Sequence, residues 1–321
     1  MKRRTLLGHM GAMSLAPAAV SAQAPWPSRT VNVVVGYAPG GGVDAVMRSI
    51  TLALSSRLGQ QFLVDNRPGA SGIVAAQYVA KAAGDGYTLF GTDGGALVLN
   101  EALFSSLPYN PQRDFAPISL VIRAPLIIAA HPGFAAKDLE GLKEIAKLGK
   151  LSYASPGLGT FHHLAFELLK RRMGFDAAAV PYKGAAPAAQ DVISGQIPVM
   201  PLDTIVGLPQ IRGGKLKALA ILTAARFALL PDVPTAAEQG VADVVIYPWV
   251  GLAAPQATPK DIVARLSSEV RSIVAEREIA TRFIGLGMEP IANTPDDFAR
   301  FVVAEAQRWQ PLIKSLGISL G

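Results

Sequence analysis

Twice in this chain a short, almost wholly apolar run ends in a glycine-rich loop that opens directly into a helical periodicity. Val31 to Val35 is the first run. The loop GYAPGGGVD (36–44) follows it, and then Val43, Val46, Ile50, Leu54 and Leu58 recur at three- and four-residue steps. A strand without polar alternation has to be covered on both faces, and a helix with a single apolar stripe supplies such cover. Phe62 to Asp65 reads as a second strand, Asn66 to Gly69 as a turn, Ile73 to Ala82 as a helix and Tyr87 to Phe90 as a third strand. Strand–helix–strand–helix–strand predicts an α/β unit with a parallel sheet between helices.

The pattern then restarts. Strands are expected at Leu126–Ala129, Leu151–Ala154, Ala178–Val180, Val199–Pro201 and Lys217–Leu222, with helices over Leu142–Leu148 and Ala186–Ser194. The second glycine loop, ASPGLGTFHH (154–163), opens a helix with Phe161, Leu164, Leu168 and Arg172 on one stripe. The last third turns helical. Thr258 is expected to cap a helix with Pro259 at its first position, and Thr294-Pro295-Asp296-Asp297 begins the final helix in the same way. A chain of 321 residues, half of them hydrophobic, has the length and apolar content for two domains. The passage between units is expected at Ser119–Pro125 and the return at Tyr247–Leu252. That gives one lobe from 23–121 with 249–321, a second from 122–248, and a hinge between them.

The N-terminus has a different character. Lys2, Arg3 and Arg4 precede the weakly hydrophobic stretch Thr5–Val20, and small residues follow at Ser21, Ala22 and Ala24. This is the pattern of a secretory signal peptide over residues 1–22, cut after Ala22; a cut after Ala24 would leave Pro25 first. The Arg3-Arg4 pair fits either a twin-arginine or a general export route. Without Lys2, Arg3 and Arg4 the 30 Lys and Arg fall to 27, against 24 Asp and Glu, so the chain lacks the basic footprint of a nucleic-acid binder. It also lacks cysteine, which removes disulfides, a thiol nucleophile, Cys-ligated metal and a lipid-anchored cysteine. A soluble periplasmic protein is expected.

Each glycine loop places flexible backbone just before a helix N-terminus. There the first N–H groups lack partners and the helix dipole is positive, so an anion can be held without a cationic side chain. Ser155 and Thr160 add hydroxyls. The same glycines equally serve a tight turn before a helix. Neither loop is a Walker sequence or a dinucleotide fingerprint: no Lys-Ser or Lys-Thr follows the glycines, and His162 stands where a third glycine would be. His131, His162 and His163 do not form a metal-ligand spacing, and no Gly-x-Ser-x-Gly elbow is present. No metal, cofactor or catalytic residue is therefore assigned. Asp44 reads as a ligand contact or as a first-turn partner of backbone N–H groups. Asp203 reads as a cleft residue or a cap, Lys183 as a cleft or surface residue, and Trp249 as packing.

Taken in order, GYAPGGGVD, VDNRPGASGIVAAQYVAKAAGDGYTLFGT, YASPGLGTFHHLAFELL, VPYKGAAPAAQDVISGQIPVM and LLPDVPTAAEQG resemble successive segments of the Bug-type (TctC-like) extracytoplasmic receptors of tripartite tricarboxylate transporters. The resemblance covers nearly the whole of the expected mature chain. It implies a hinge-linked, two-lobe periplasmic-binding-protein fold of type II, acting as a monomer. It also implies a non-enzymatic receptor that clamps a small organic carboxylate (a di- or tricarboxylate, an acidic amino acid or an aromatic acid) and delivers it to the membrane subunits of a transporter. Presentation to a membrane sensor is the alternative, and an exported hydrolase using His163 or Asp203 a more distant one. The positions matching the family's binding loops are Tyr37, Ala38, Gly41, Gly42 and Asp44, then Thr92 and Asp93, then Ser155, Gly157, Gly159, Thr160 and His163, with Asp203 at the cleft floor. The chain departs from the family pattern at Gly36, Tyr37, Ala38, Val43 and Pro156, all around these loops.

Overall fold

The computed structural model describes residues 26–149 and 151–320; the expected signal peptide lies outside the described residues. The first lobe begins with β1 (Val31–Val35), α1 (Gly42–Leu58), β2 (Phe62–Asn66), α2 (Ile73–Ala80), β3 (Thr88–Asp93), the short α3 (Asn100–Leu103) and β4 (Phe115–Arg123). The second lobe follows with β5 (Leu126–Ala130), α4 (Leu139–Lys147), β6 (Ser152–Ser155), α5 (Phe161–Met173), β7 (Ala178–Pro181), α6 (Ala185–Ile193), β8 (Val199–Asp203), α7 (Thr204–Arg212) and β9 (Lys217–Ile221). The chain then returns to the first lobe through β10 (Trp249–Pro255), α8 (Lys260–Ala275), α9 (Arg277–Gly285), β11 (Glu289–Pro290) and α10 (Pro295–Leu316).

Each lobe is built on one sheet, six-stranded in the order β11-β4-β10-β3-β1-β2 and five-stranded in the order β7-β6-β8-β5-β9. Both sheets are mixed. β2 and β3 flank β1 in parallel and β6 runs parallel to β7 and β8, but β10 is antiparallel to β3 and β4, and β5 is antiparallel to β8 and β9. In the first sheet the parallel expectation fails because β4 and β10 are the crossings themselves, and in the second it fails at β5, the strand that enters directly from the crossing. Segments read as connections are strands whose far ends lead into the other lobe. Pro117 and Gly251 hide them, since proline and glycine weaken a strand pattern. Register shifts at Val250/Gly251 and Leu252/Ala253 absorb both residues. At the hinge the Ala124 N–H donates to the Pro248 carbonyl at 2.8 Å. Beside it, Arg123 holds Glu289 through two bonds, at 2.6 and 2.9 Å.

The apolar runs of β1, β5 and β10 are buried along nearly their full length, as strands covered on both faces must be. α1 buries Val46, Met47, Ile50 and Leu54. The Thr294 hydroxyl caps α10 by accepting from the Asp297 N–H, with Pro295 in the first turn. The corresponding expectation for Thr258 is corrected. Pro259 is the extended residue before α8, its carbonyl takes the Val263 N–H, and the buried Thr258 hydroxyl has no partner. Among the described residues no helix is long and apolar enough to cross a membrane.

Candidate functional site

The cleft is built where β1, β3, β6 and β8 end, because each of these strands hands its chain to a loop on the edge that faces the other lobe. The two glycine loops meet the opposite lobe at close range. The Ala38 N–H donates to the Lys183 carbonyl at 2.7 Å. Gly42, at the start of α1, lies against Asp203: a Cβ placed on it would sit 3.1 Å from the Asp203 Oδ2. Gly41 faces Ala185 at 3.9 Å in the same sense. Glycine at 42 is thus what lets the α1 N-terminus approach Asp203 so closely, whereas position 41 makes ordinary contact with Ala185. Ser71 donates its hydroxyl to the Leu158 carbonyl, a further bond across the cleft.

Several cavities lie between the lobes, and two of them share Tyr37 and Pro156. The larger, about 300 Å³, is lined by Tyr37, Ala70 and Ser71 from the first lobe and by Gly157, Leu158, Tyr182 and Lys183 from the second. The smaller, about 40 Å³, adjoins it and is lined by Gly41, Gly42 and Asp93 on one side and Thr160, His162 and Asp203 on the other; Tyr37 and Pro156 border both.

The electrostatics of the small cavity follow from its burial. The Tyr37 hydroxyl donates to Asp93 at 2.7 Å. Burial, reinforced by the neighbouring Asp93 carboxylate, holds the Tyr37 hydroxyl well above the usual phenol range. Burial likewise raises Asp93 above its ordinary value, although bonds from Tyr37 and the Ala96 N–H favour its charged form. Asp203 uses Oδ1 to cap α7 through the Val206 N–H at 3.0 Å and places Oδ2 3.2 Å from the His162 Nε2. It is therefore both the cap and the cleft residue that its position allowed.

The other singled-out residues are engaged locally. Asp44 accepts from Gly40 N–H, Arg48 and Asn66. Burial raises its pKa, but those bonds outweigh it and hold the carboxylate below the ordinary value. Thr92 is buried at the end of β3. The Ser155 hydroxyl donates to the Gly157 carbonyl at 3.0 Å, and Thr160 caps α5 by accepting from the His163 N–H. The His163 Nδ1 accepts from the Gly159 N–H at 3.4 Å, so the ring braces the second glycine loop, and burial pulls its pKa below the ordinary value. Its outer face borders a separate cavity with Glu167, Lys170 and Arg171.

Sequence reasoning missed Ala70, Ser71, Phe104, Tyr182 and Leu320 as cleft residues. Asn66–Gly69 was expected to turn, yet β2 runs through Asn66 and the chain turns later, with Ala70 and Ser71 at φ of 43° and 53°. Neither residue type advertises a left-handed backbone. Phe104 and Leu320 reach the cavity only through tertiary packing: the Leu320 N–H donates to the Leu103 carbonyl at 2.8 Å. Among the described residues no group of three or more His, Asp and Glu side chains has the placement of a metal site.

Comparison with known proteins agrees with this geometry. Residues 46–318 match the family model described as the tripartite tricarboxylate transporter family receptor. The chain is 34% identical to Protein BugT of Bordetella pertussis over 298 residues, 92% of this chain and 91% of that one. Among solved structures it resembles MatC of Rhodopseudomonas palustris with bound malate, at 36% identity and a TM-score of 0.86, over 90% of this chain and all of that one. It also resembles R. palustris Rpa4515 with adipate, at 34% identity and a TM-score of 0.88, over 92% of this chain and all of that one. A family model matched over most of its length, and relatives above 30% identity spanning nearly all of it, place the chain in the TctC or Bug-type family of solute-binding receptors of tripartite tricarboxylate transporters.

Proposed function

We propose that this receptor works in the periplasm as a monomer, captures a small organic carboxylate between its lobes, and delivers it to the membrane subunits of a tripartite tricarboxylate-type transporter. The observation that carries the reading is the meeting of two helix-opening glycine loops, 36–44 and 154–163, from different sheets across one cleft. In this reading the lobes divide at the two crossings, near residues 122 and 249, and closure brings the loops onto the ligand. The ligand shell proposed from the sequence is Tyr37, Ala38, Gly41, Gly42 and Asp44, with Thr92 and Asp93, Ser155, Gly157, Gly159, Thr160 and His163, and Asp203. The solved relatives carrying malate and adipate support a carboxylate as the class of ligand. Micromolar capture corresponds to about 8 kcal/mol, within reach of a few charge-assisted hydrogen bonds of ~1.5–3 kcal/mol each set against ordering costs.

Thermal unfolding in a panel of carboxylates, sugars and cations tests the proposal. A carboxylate at one hundred times its dissociation constant adds about 2.7 kcal/mol to the folded state and raises Tm accordingly. Stabilisation by sugars or cations and by none of the acids would overturn it.

A further inference from the structure

The walls of the larger cavity are unlike those a polyanion needs. Tyr37, Phe104, Pro156, Leu158, Tyr182 and Leu320 give it aromatic and aliphatic surface, and among the described residues lining it Lys183 is the only charged side chain. Past Tyr37 and Pro156 the space narrows into the small cavity, which presents the carboxylates of Asp93 and Asp203. A second or third carboxylate on the ligand would find no further cationic side chain among the described residues lining the larger cavity, and would meet like charge on the other side. The volume, about 300 Å³, suits an apolar body. A dry apolar cavity of ~150 Å³ already accommodates a benzene ring, so twice that space takes a ring or a six-carbon chain together with one carboxylate.

From this arrangement we propose that the receptor selects a monocarboxylate with an aromatic or alkyl body over compact di- and tricarboxylates. Lys183 pairs with the carboxylate and the Phe104–Leu158–Leu320 wall holds the body. The inference rests on the receptor reading above and narrows it. Leu158 belongs to the second glycine loop, Phe104 follows α3, and Leu320 lies beyond α10, so three separate segments converge to form one apolar wall.

Isothermal titration of the full protein with phenylacetate, hexanoate, malate, citrate and the uncharged phenylacetamide decides the matter. Phenylacetate or hexanoate should bind at least tenfold more tightly than malate and citrate, with phenylacetamide silent. Lys183→Gln should weaken the best monocarboxylate by tenfold or more. So should Leu158→Ser, on a half-buried loop, and Phe104→Ser, with each variant's fold checked by its unfolding midpoint. Tighter binding of malate or citrate by the unsubstituted protein would overturn the selectivity and leave the carboxylate receptor standing. Binding of none of the four acids would overturn the selectivity, and equal binding of phenylacetamide would overturn both readings.

Discussion

His163 shows what a single side chain does in this cleft. Position and type made it a candidate to touch ligand or act as a base. In the structure its Nδ1 is occupied by the Gly159 N–H, and its own N–H closes the Thr160 cap. Accepting at Nδ1 requires that nitrogen to be unprotonated, and burial of the ring lowers its pKa for the same reason: the imidazolium is poorly solvated there. The sign of the pH dependence follows. Below the unfolded value of about 6.5 the unfolded chain binds a proton that the folded ring resists, so the stabilisation is complete above that pH and is lost as pH falls through it towards the lowered folded value. Urea unfolding from pH 7.5 to 5.5 should show a falling midpoint, and His163→Gln, which keeps an acceptor but cannot titrate, should flatten that fall. An identical slope in both proteins would remove His163 as its source. Residue spacing located the loops that carry these groups. It did not show which atoms were already spent, because Asp44 is held by Asn66 as well as by its helix neighbour Arg48, and only folding brings Asn66 to it.

At the scale of elements, local signals and packing signals separate cleanly. Thr294 with Pro295 was legible because a cap is a local device. The hydroxyl accepts from the Asp297 N–H at 3.2 Å, and Thr294→Ala should cost about 1 kcal/mol, read as a shift of the denaturation midpoint at unchanged slope. The strand β10 was not legible as one, because its glycine answers to a distant helix. Gly251 lies under the Phe298 ring of α10, which stands edge-on to Trp249 at 5.7 Å and 90°. A methyl group there would overlap that ring, so Gly251→Ala should force α10 outward and cost about 1–3 kcal/mol, the range for overpacked cores. A variant as stable as the parent would mean that α10 can shift without loss. Thr258 is the converse case. Its sequence context is as good as that of Thr294, yet burial against the lobe leaves its hydroxyl unpaired and gives the extended position to Pro259. A capping motif states what a hydroxyl can do, and packing decides whether the N–H group is within its reach.

The two-lobe architecture was visible because the strand–loop–helix pattern restarts after residue 125, whereas the closeness of the lobes was not, since no local pattern encodes a contact between Gly41 and Ala185. That contact offers a direct test of whether capture requires the lobes to part. A Cβ on Gly41 would stand 3.9 Å from the Ala185 Cβ, inside the ~3.5–4.5 Å range of disulfide-bonded pairs. Gly41 has an extended backbone, φ −80° and ψ 173°, that any L residue adopts. The natural chain contains no cysteine, so Gly41→Cys with Ala185→Cys creates one pair and no competing partner. Mild oxidation should link the two, seen as a faster band on a non-reducing gel that reductant reverses. Oxidised before ligand is added, the double variant should show no carboxylate-dependent rise in Tm; reduced, it should recover one, as capture by parting of the lobes requires. Uptake by the oxidised form at the rate of the reduced form would show instead that the ligand enters a closed cleft from the side, and the hinge strands β4 and β10 would then hold the lobes in place without serving as an axis of opening.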